Sequence, residues 1–163
     1  MKNVVLIGMP SCGKSTVGRI IAEKTGRKFI DTDLLVEADV GKRIPDIFAE
    51  SGESYFREKE REAVARAAEE RGAVIACGGG VVLDVRNVNA LKKNGVVAFI
   101  RRDIGLLSTE GRPLSKNAAA LKEMEKIRMP LYEKYADFTV DNDKQPVDTA
   151  EEIIRGINEN HGN

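Results

Sequence analysis

Val4-Val5-Leu6-Ile7-Gly8-Met9-Pro10-Ser11-Cys12-Gly13-Lys14-Ser15-Thr16-Val17 changes character twice within fourteen residues. Val4 to Ile7 is a short apolar, β-branched run that reads as a buried strand. Gly8 to Ser15 fill the pattern G-x-x-x-x-G-K-[ST]. Val17, Ile20 and Ile21 then recur at helical spacing, and the helix is expected to stop at Gly26. Strand, glycine loop and helix in that order separate a phosphate cradle from an ordinary glycine-rich turn. The glycines let the backbone close around an anion, successive N–H groups point inward, and the helix N-terminus adds partial positive charge. In such a loop Lys14 reaches the β- and γ-phosphates of a nucleotide and the Ser15 hydroxyl ligates Mg²⁺.

Outward from this stretch, apolar strand-like runs recur at Phe29–Ile30, Val74–Ala76, Val96–Ile100 and Phe138–Val140. Helical patterns separate them, over Lys14 to Thr25, Leu34 to Asp39, Glu53 to Arg71, Asp84 to Lys93, Ala118 to Lys134 and Val147 to Asn158. Strands alternating with helices imply right-handed crossovers and a parallel sheet covered on both faces, an α/β fold. Asp84 is the expected N-cap of its helix, and Gly72 and Gly95 are expected to close helices before strands. Leu121, Met124 and Leu131 read as core packing. Arg101 to Asn117 carries Gly105, Gly111 and Pro113, has weak periodicity and is long for a connection, as lids are. With no repeat, low-complexity tract or linker, residues 1–163 are expected to form a single domain.

The composition narrows the function. The chain carries 26 Lys+Arg against 26 Asp+Glu, so no global field draws it to nucleic acid or an anionic membrane. No apolar run approaches the roughly 18 residues of a membrane span, and with a strand at the start of the sequence no signal peptide is expected. Two cysteines do not make a disulfide framework, which suits a cytoplasmic protein. His161, in a polar tail, reads as a solvated terminal residue.

A regulatory GTPase is excluded directly, because neither D-x-x-G nor N-K-x-D occurs; Asn142-Asp143-Lys144-Gln145 lacks the spacing. A lidded nucleoside-monophosphate-type kinase stays open. Asp31-Thr32-Asp33 follows the second strand, at the sheet edge that faces the phosphate loop. One carboxylate can join the Mg²⁺ shell with Ser15 and the other face an acceptor hydroxyl; alternatively, both simply cap the next helix. Glu53, Arg57 and Glu60 stand at i−4, i and i+3 on one helix face. Spacing alone favours a solvated ion-pair face there over an aimed arginine. Gly78-Gly79-Gly80 follows the third strand, either as bare backbone for a ligand or as a plain turn. Arg128, near Pro130, either binds an anion or caps a helix end. Arg57 and Arg128 supply planar forks suited to a carboxylate, and nothing here is built to stack a second base. The residues by themselves lead to a small anionic polyol as phosphoryl acceptor.

Taken in order, the phosphate loop, Asp31-Thr32-Asp33, the S-G-E-x-x-F-R-x-x-E run from Ser51 to Glu60, Gly78–Gly80, Arg112-Pro113-Leu114 and Arg128-Met129-Pro130-Leu131-Tyr132 resemble the shikimate kinase family over nearly the whole chain. The resemblance implies a P-loop NTPase fold of three layers, α/β/α, with a five-stranded parallel sheet in order 2-3-1-4-5. It also implies a substrate-binding region about 32–60 and a lid about 103–117. Asp33, Phe48, Phe56, Arg57, Gly79, Gly80 and Arg128 are then the expected shikimate contacts, and Ser11, Cys12, Gly13, Lys14, Ser15, Thr16 and Arg112 the expected ATP contacts. Lys14, Asp33 and Arg112 are the expected catalytic residues. Ser15, and Asp31 through water, are the expected Mg²⁺ partners. The implied protein is a cytoplasmic monomer with ATP and shikimate as its small-molecule partners.

Three departures from the family pattern stand out. Ser11 stands where a glycine is common. Ser108-Thr109 replaces an Arg-Thr pair before the lid arginine, and the lid is short, so weaker adenine contact is expected. Cys12 and Cys77 are expected near the phosphate site, with the helix N-terminus lowering the Cys12 pKa and oxidation inactivating the protein. Two readings compete with a shikimate kinase: a different small-molecule or nucleotide kinase on the same fold, and a nucleotide-binding regulatory module without turnover.

Overall fold

The computed structural model describes residues 1–103 and 114–160. Strands β1 (Asn3–Ile7), β2 (Phe29–Asp31), β3 (Val74–Ala76), β4 (Gly95–Arg101) and β5 (Phe138–Asp141) form one sheet in the order β2-β3-β1-β4-β5, as expected. Every pairing is parallel; Val5 lies opposite Ile75 on one side and Val97 on the other. The three central strands are buried on both faces, which is why they read as unbroken apolar runs rather than alternating ones.

Helix α1 (Lys14–Thr25) packs against α6 (Pro146–Asn160), and α1 comes close to the sheet at Gly18, where a Cβ would run into Phe29 and Leu6. On the opposite face, Val5, Ile7 and Val97 look toward Val88 and Leu91 of α4 (Val85–Lys93) and Tyr135 of α5 (Leu114–Tyr135). The remaining helices, α2 (Thr32–Val40) and α3 (Ile44–Ala68), pack on each other beside the edge strand β2. Val36, Ile47, Phe56 and Ala63 form a small core there, separate from the main one. Residues 32–60, where the substrate region was expected, are α2 and the first half of α3.

Local signals explain most boundaries. Asp31 caps α2, its Oδ1 accepting from the backbone N–H groups of Asp33 (2.9 Å) and Leu34 (3.2 Å). Asp84 caps α4 as expected, accepting from the Arg86 N–H at 2.9 Å. Gly26 ends α1 in the left-handed conformation with φ 71°. Leu121, Met124 and Leu131 pack on the main core.

Three expectations change. A helical segment from Ile44 precedes the one expected at Glu53, and the two meet at Gly52, whose φ of 83° and ψ of 171° break the helix. Pro45 in the first turn starts that extra segment, where the ring replaces an N–H that has no partner. Gly95 does not close α4: Asn94 does, and Gly95 is the first residue of β4, where a side chain would strike the Leu91 carbonyl and Val5. Gly72 has positive φ, but α3 already ends at Ala68, so Gly72 turns the chain into β3 rather than capping the helix.

Candidate active site

β1, β2 and β3 deliver their following loops to one edge of the sheet, and a cleft of about 300 Å³ opens there. Pro10, Ser11 and Gly13 to Thr16 form one wall, Asp31 and Asp33 another, and Ala76 to Gly79 a third. At the base of α1, Gly13 serves as N-cap with no side-chain hydrogen bond to the first turn. The opening N–H groups of α1 are thus left for an anion, and the helix dipole favours one there. Lys14 is only 8% exposed, and its Nζ donates to the carbonyls of Gly8 (2.7 Å) and Met9 (2.9 Å) at the mouth of the loop.

Asp31 divides its two oxygens between two tasks. Oδ1 caps α2, while Oδ2 accepts from the Ser15 hydroxyl at 2.9 Å. Capping, one of the alternatives on the sequence, is what Oδ1 does, and it leaves Oδ2 in the cleft beside the phosphate loop. Ser15 and Asp31 bring two hard oxygen donors together beside the phosphate loop, a set that fits Mg²⁺. The Asp33 side chain takes no part in the cap and turns toward Gly78, where an added Cβ would collide with its Oδ1. Burial raises the Asp33 pKa above the ordinary carboxylate range; Asp31 adds to the rise, and Lys14 and Arg57 oppose it.

Arg57 and Arg128 close the other side. An added Cβ on Gly80 would strike the Arg57 guanidinium, and one on Gly79 would stand 3.0 Å from Arg128 Nη1. Only backbone fits between the two forks. Glu60 accepts from Arg57 Nη1 at 2.8 Å and is buried, whereas Glu53 is exposed and lies 3.4 Å from Arg57 Nε. Burial raises the Glu60 pKa, and the bond and charge of Arg57 hold it back. Spacing does not separate Glu60 from Glu53, yet of the two only Glu60 holds Arg57 from inside the protein.

Tyr132 stands one helical turn after Arg128 on α5 and is fully buried, its ring stacked on Phe99 at 5.1 Å. Its hydroxyl donates to the Gly79 carbonyl at 2.7 Å. The i, i+4 spacing from Arg128 is the signal that points to it. α5 continues to Tyr135, so Arg128 lies inside the helix and does not cap its end.

Among the other expected contacts, Phe56 is a core residue of the α2–α3 lobe, only 4% exposed. Phe48 packs on it with ring centroids 4.7 Å apart and keeps an exposed face. Cys12 and Cys77 sit at the phosphate edge, as expected from β3 lying beside β1, but both are free and buried. Burial pushes the Cys77 thiol up, away from the thiolate form that reacts. Arg112, Ser108-Thr109, residues 104–113 of the expected lid and His161 lie outside the described residues, and 114–117 of that lid belong to α5.

The geometry sets the phosphate loop and the two arginines that flank Gly79 and Gly80 at one edge of the sheet. The family model for shikimate kinase matches residues 10–158. The chain belongs to the shikimate kinase family. A shikimate kinase from Thermodesulfovibrio yellowstonii is 41% identical over 95% of this chain and 94% of its own length. Among solved structures, a shikimate kinase from Acinetobacter baumannii in complex with shikimate superposes with a TM-score of 0.91. It is 32% identical and covers 98% of this chain and 94% of its own. The Aquifex aeolicus shikimate kinase gives a TM-score of 0.87 at 31% identity, covering 98% of both chains. Among the described residues, no helix of this family member is long and apolar enough to cross a membrane.

Proposed function

We propose that this chain transfers the γ-phosphoryl group of ATP to the 3-hydroxyl of shikimate, giving ADP and shikimate 3-phosphate for aromatic amino acid biosynthesis. The observation that carries the reading is the meeting of two half-sites at one sheet edge. Lys14, Ser15 and Asp31 stand on the donor side, and Asp33, Arg57 and Arg128 surround Gly78–Gly80 on the acceptor side.

Phosphoryl transfer asks the protein chiefly for position and charge neutralisation. Backbone N–H groups from Ser11 to Thr16 and the Lys14 ammonium hold the β- and γ-phosphates, and Arg112 adds charge from the lid. Ser15, with Asp31 through water, holds Mg²⁺, which when bound draws charge from the phosphate oxygens. Arg57 and Arg128 clamp the shikimate carboxylate, Gly79 and Gly80 offer backbone, and Phe48 and Phe56 form the apolar side. The acceptor oxygen attacks the γ-phosphorus as the bond to ADP breaks. Asp33 takes the proton, and its raised pKa makes it a better acceptor than an ordinary carboxylate. All these groups come from one chain, which supports a monomer, and two free cysteines suit the cytoplasm.

The deciding experiment is ADP release from Mg-ATP with and without shikimate, run beside a panel of sugar acids and nucleoside monophosphates. Turnover dependent on shikimate is expected. Release that ignores shikimate, or that prefers another acceptor, overturns the assignment.

A further inference from the structure

A buried amide holds the phosphate loop from the far end of the chain. Asn142 follows β5, is 6% exposed, and donates through Nδ2 to the Cys12 carbonyl at 2.7 Å. Its Oδ1 accepts from the hydroxyl of Thr149, a fully buried residue in the first turns of α6, at 2.8 Å. Its backbone N–H donates to the Arg101 carbonyl at 2.8 Å, which extends the β4–β5 ladder by one residue. The hydroxyl and the carbonyl together leave the amide one orientation, since an exchange of oxygen and nitrogen would set oxygen against oxygen at Cys12.

The consequence follows from peptide geometry. In a planar trans peptide the C=O and the next N–H point in opposite directions. With the Cys12 oxygen turned to Asn142, the N–H of Gly13 points away from Asn142. Gly13 lines the phosphate cleft and is the N-cap of α1, so that N–H is one of the groups able to meet a phosphate oxygen. Asn142 also crowds Gly13 itself, because a Cβ there would collide with Nδ2. Position 13 has φ 98°, and that space is open only to glycine.

We infer that Asn142, fixed by Thr149, is a positioning residue for nucleotide binding, acting through the Cys12–Gly13 peptide. Freed from this clamp, the peptide can rotate and present its carbonyl to the phosphates, exchanging an attraction for a repulsion. The inference rests on the kinase reading for its nucleotide but not on the identity of the acceptor.

The test is the affinity for Mg-ATP, measured by calorimetry without shikimate, together with KM for ATP and for shikimate in turnover. Thr149→Val keeps the shape and removes the hydroxyl; Thr149→Ser keeps the hydroxyl. Thr149→Val is expected to weaken ATP about fivefold or more, the loss of one buried hydrogen bond. Thr149→Ser should bind ATP as the parent does, and shikimate KM should stay within twofold in both. Asn142→Ala, if it folds, should weaken ATP further. Equal ATP affinity in the valine and serine variants overturns the inference, as does a lowered melting temperature with ATP affinity unchanged. An equal rise in both KM values also overturns it, since that marks general distortion. Failure of the kinase reading would show separately, as an unmodified chain that binds Mg-ATP without shikimate turnover.

Discussion

The Glu60 carboxylate lies 2.8 Å from Arg57 Nη1 with its side chain only 2% exposed, while the Arg57 side chain keeps 23% of its surface. The arginine therefore answers to a buried charge behind it and, in the proposed function, to the substrate in front. Arg57→Ala should lose charged hydrogen bonds to shikimate and lower kcat/KM about ten- to a hundredfold. It should also destabilise the fold by about 2–3 kcal/mol, because Glu60 is left buried without its partner. Adding Glu60→Gln to Arg57→Ala should restore part of the melting temperature and none of the activity. Recovery of activity in the double variant would mean that Arg57 serves the fold rather than the substrate.

Asp33 carries a cost in stability. Its pKa is raised first by burial and then by Asp31, so the folded state binds this proton more tightly than the unfolded chain does. For a raised carboxylate, the stabilising contribution is present below the unfolded value of about 4 and is lost as pH rises through the folded value. Asp33→Asn should therefore melt higher than the parent at neutral pH, and the gap should close as pH falls below about 4. Glu60 is also raised, in part by the Asp33 charge, so removing that charge relaxes the Glu60 shift and adds to the gap at neutral pH. Turnover should be nearly abolished. Thermal scans from pH 4 to 8 check the sign, and a gap that widens toward acid would refute it.

Ser11 is the one non-glycine residue with positive φ among the described residues, at 65°. The family glycine at this place is thus explained by backbone conformation, and the serine adopts that conformation under strain. Comparing Ser11→Gly with Ser11→Ala removes the hydroxyl from both sides of the measurement. The glycine variant should be the more stable by about 1 kcal/mol, in thermal or urea unfolding. Equal stability would show that the left-handed backbone costs nothing here.

Tyr132→Phe keeps the ring on Phe99 and removes the hydroxyl, which hydrogen-bonds with the Arg128 side chain and donates to the Gly79 carbonyl. The bond to that carbonyl orients the Gly79–Gly80 peptide between Arg57 and Arg128. KM for shikimate should rise about fivefold with KM for ATP unchanged, as steady-state kinetics would show. A matched rise in both would point to loosened packing instead.

Burial also sets the behaviour of the thiols. Cys12 and Cys77 should react slowly with a bulky disulfide reagent in the native protein and promptly in denaturant. Fast native labelling that ATP blocks would restore the picture of a reactive thiol at the phosphate loop.

Residues Val4 to Ser15 by themselves determined the strand, the loop, the helix and the donor half of the chemistry. A phosphate loop is contiguous, and its glycines, lysine and serine act within a few residues of one another. The alternation of apolar runs with helical patterns was enough for a parallel α/β sheet, and the ordered motifs were enough for its strand order. The helical segment from Ile44 escaped because the glycine at its end reads as a boundary when it is a kink.

What the tertiary structure alone decided is which of several equivalent residues matter. Glu53 and Glu60 flank Arg57 at spacings that a helix treats alike, yet one is exposed and the other enclosed beside Asp33 and Gly78. Asn142 lies 130 residues from Cys12, in a stretch that carries no nucleotide motif, and only the folding of β5 beside β4 brings it to the phosphate loop. Local spacing specifies the face of an element. Burial and the peptide that a side chain meets belong to the packing of distant elements, and they exist only once the chain has folded.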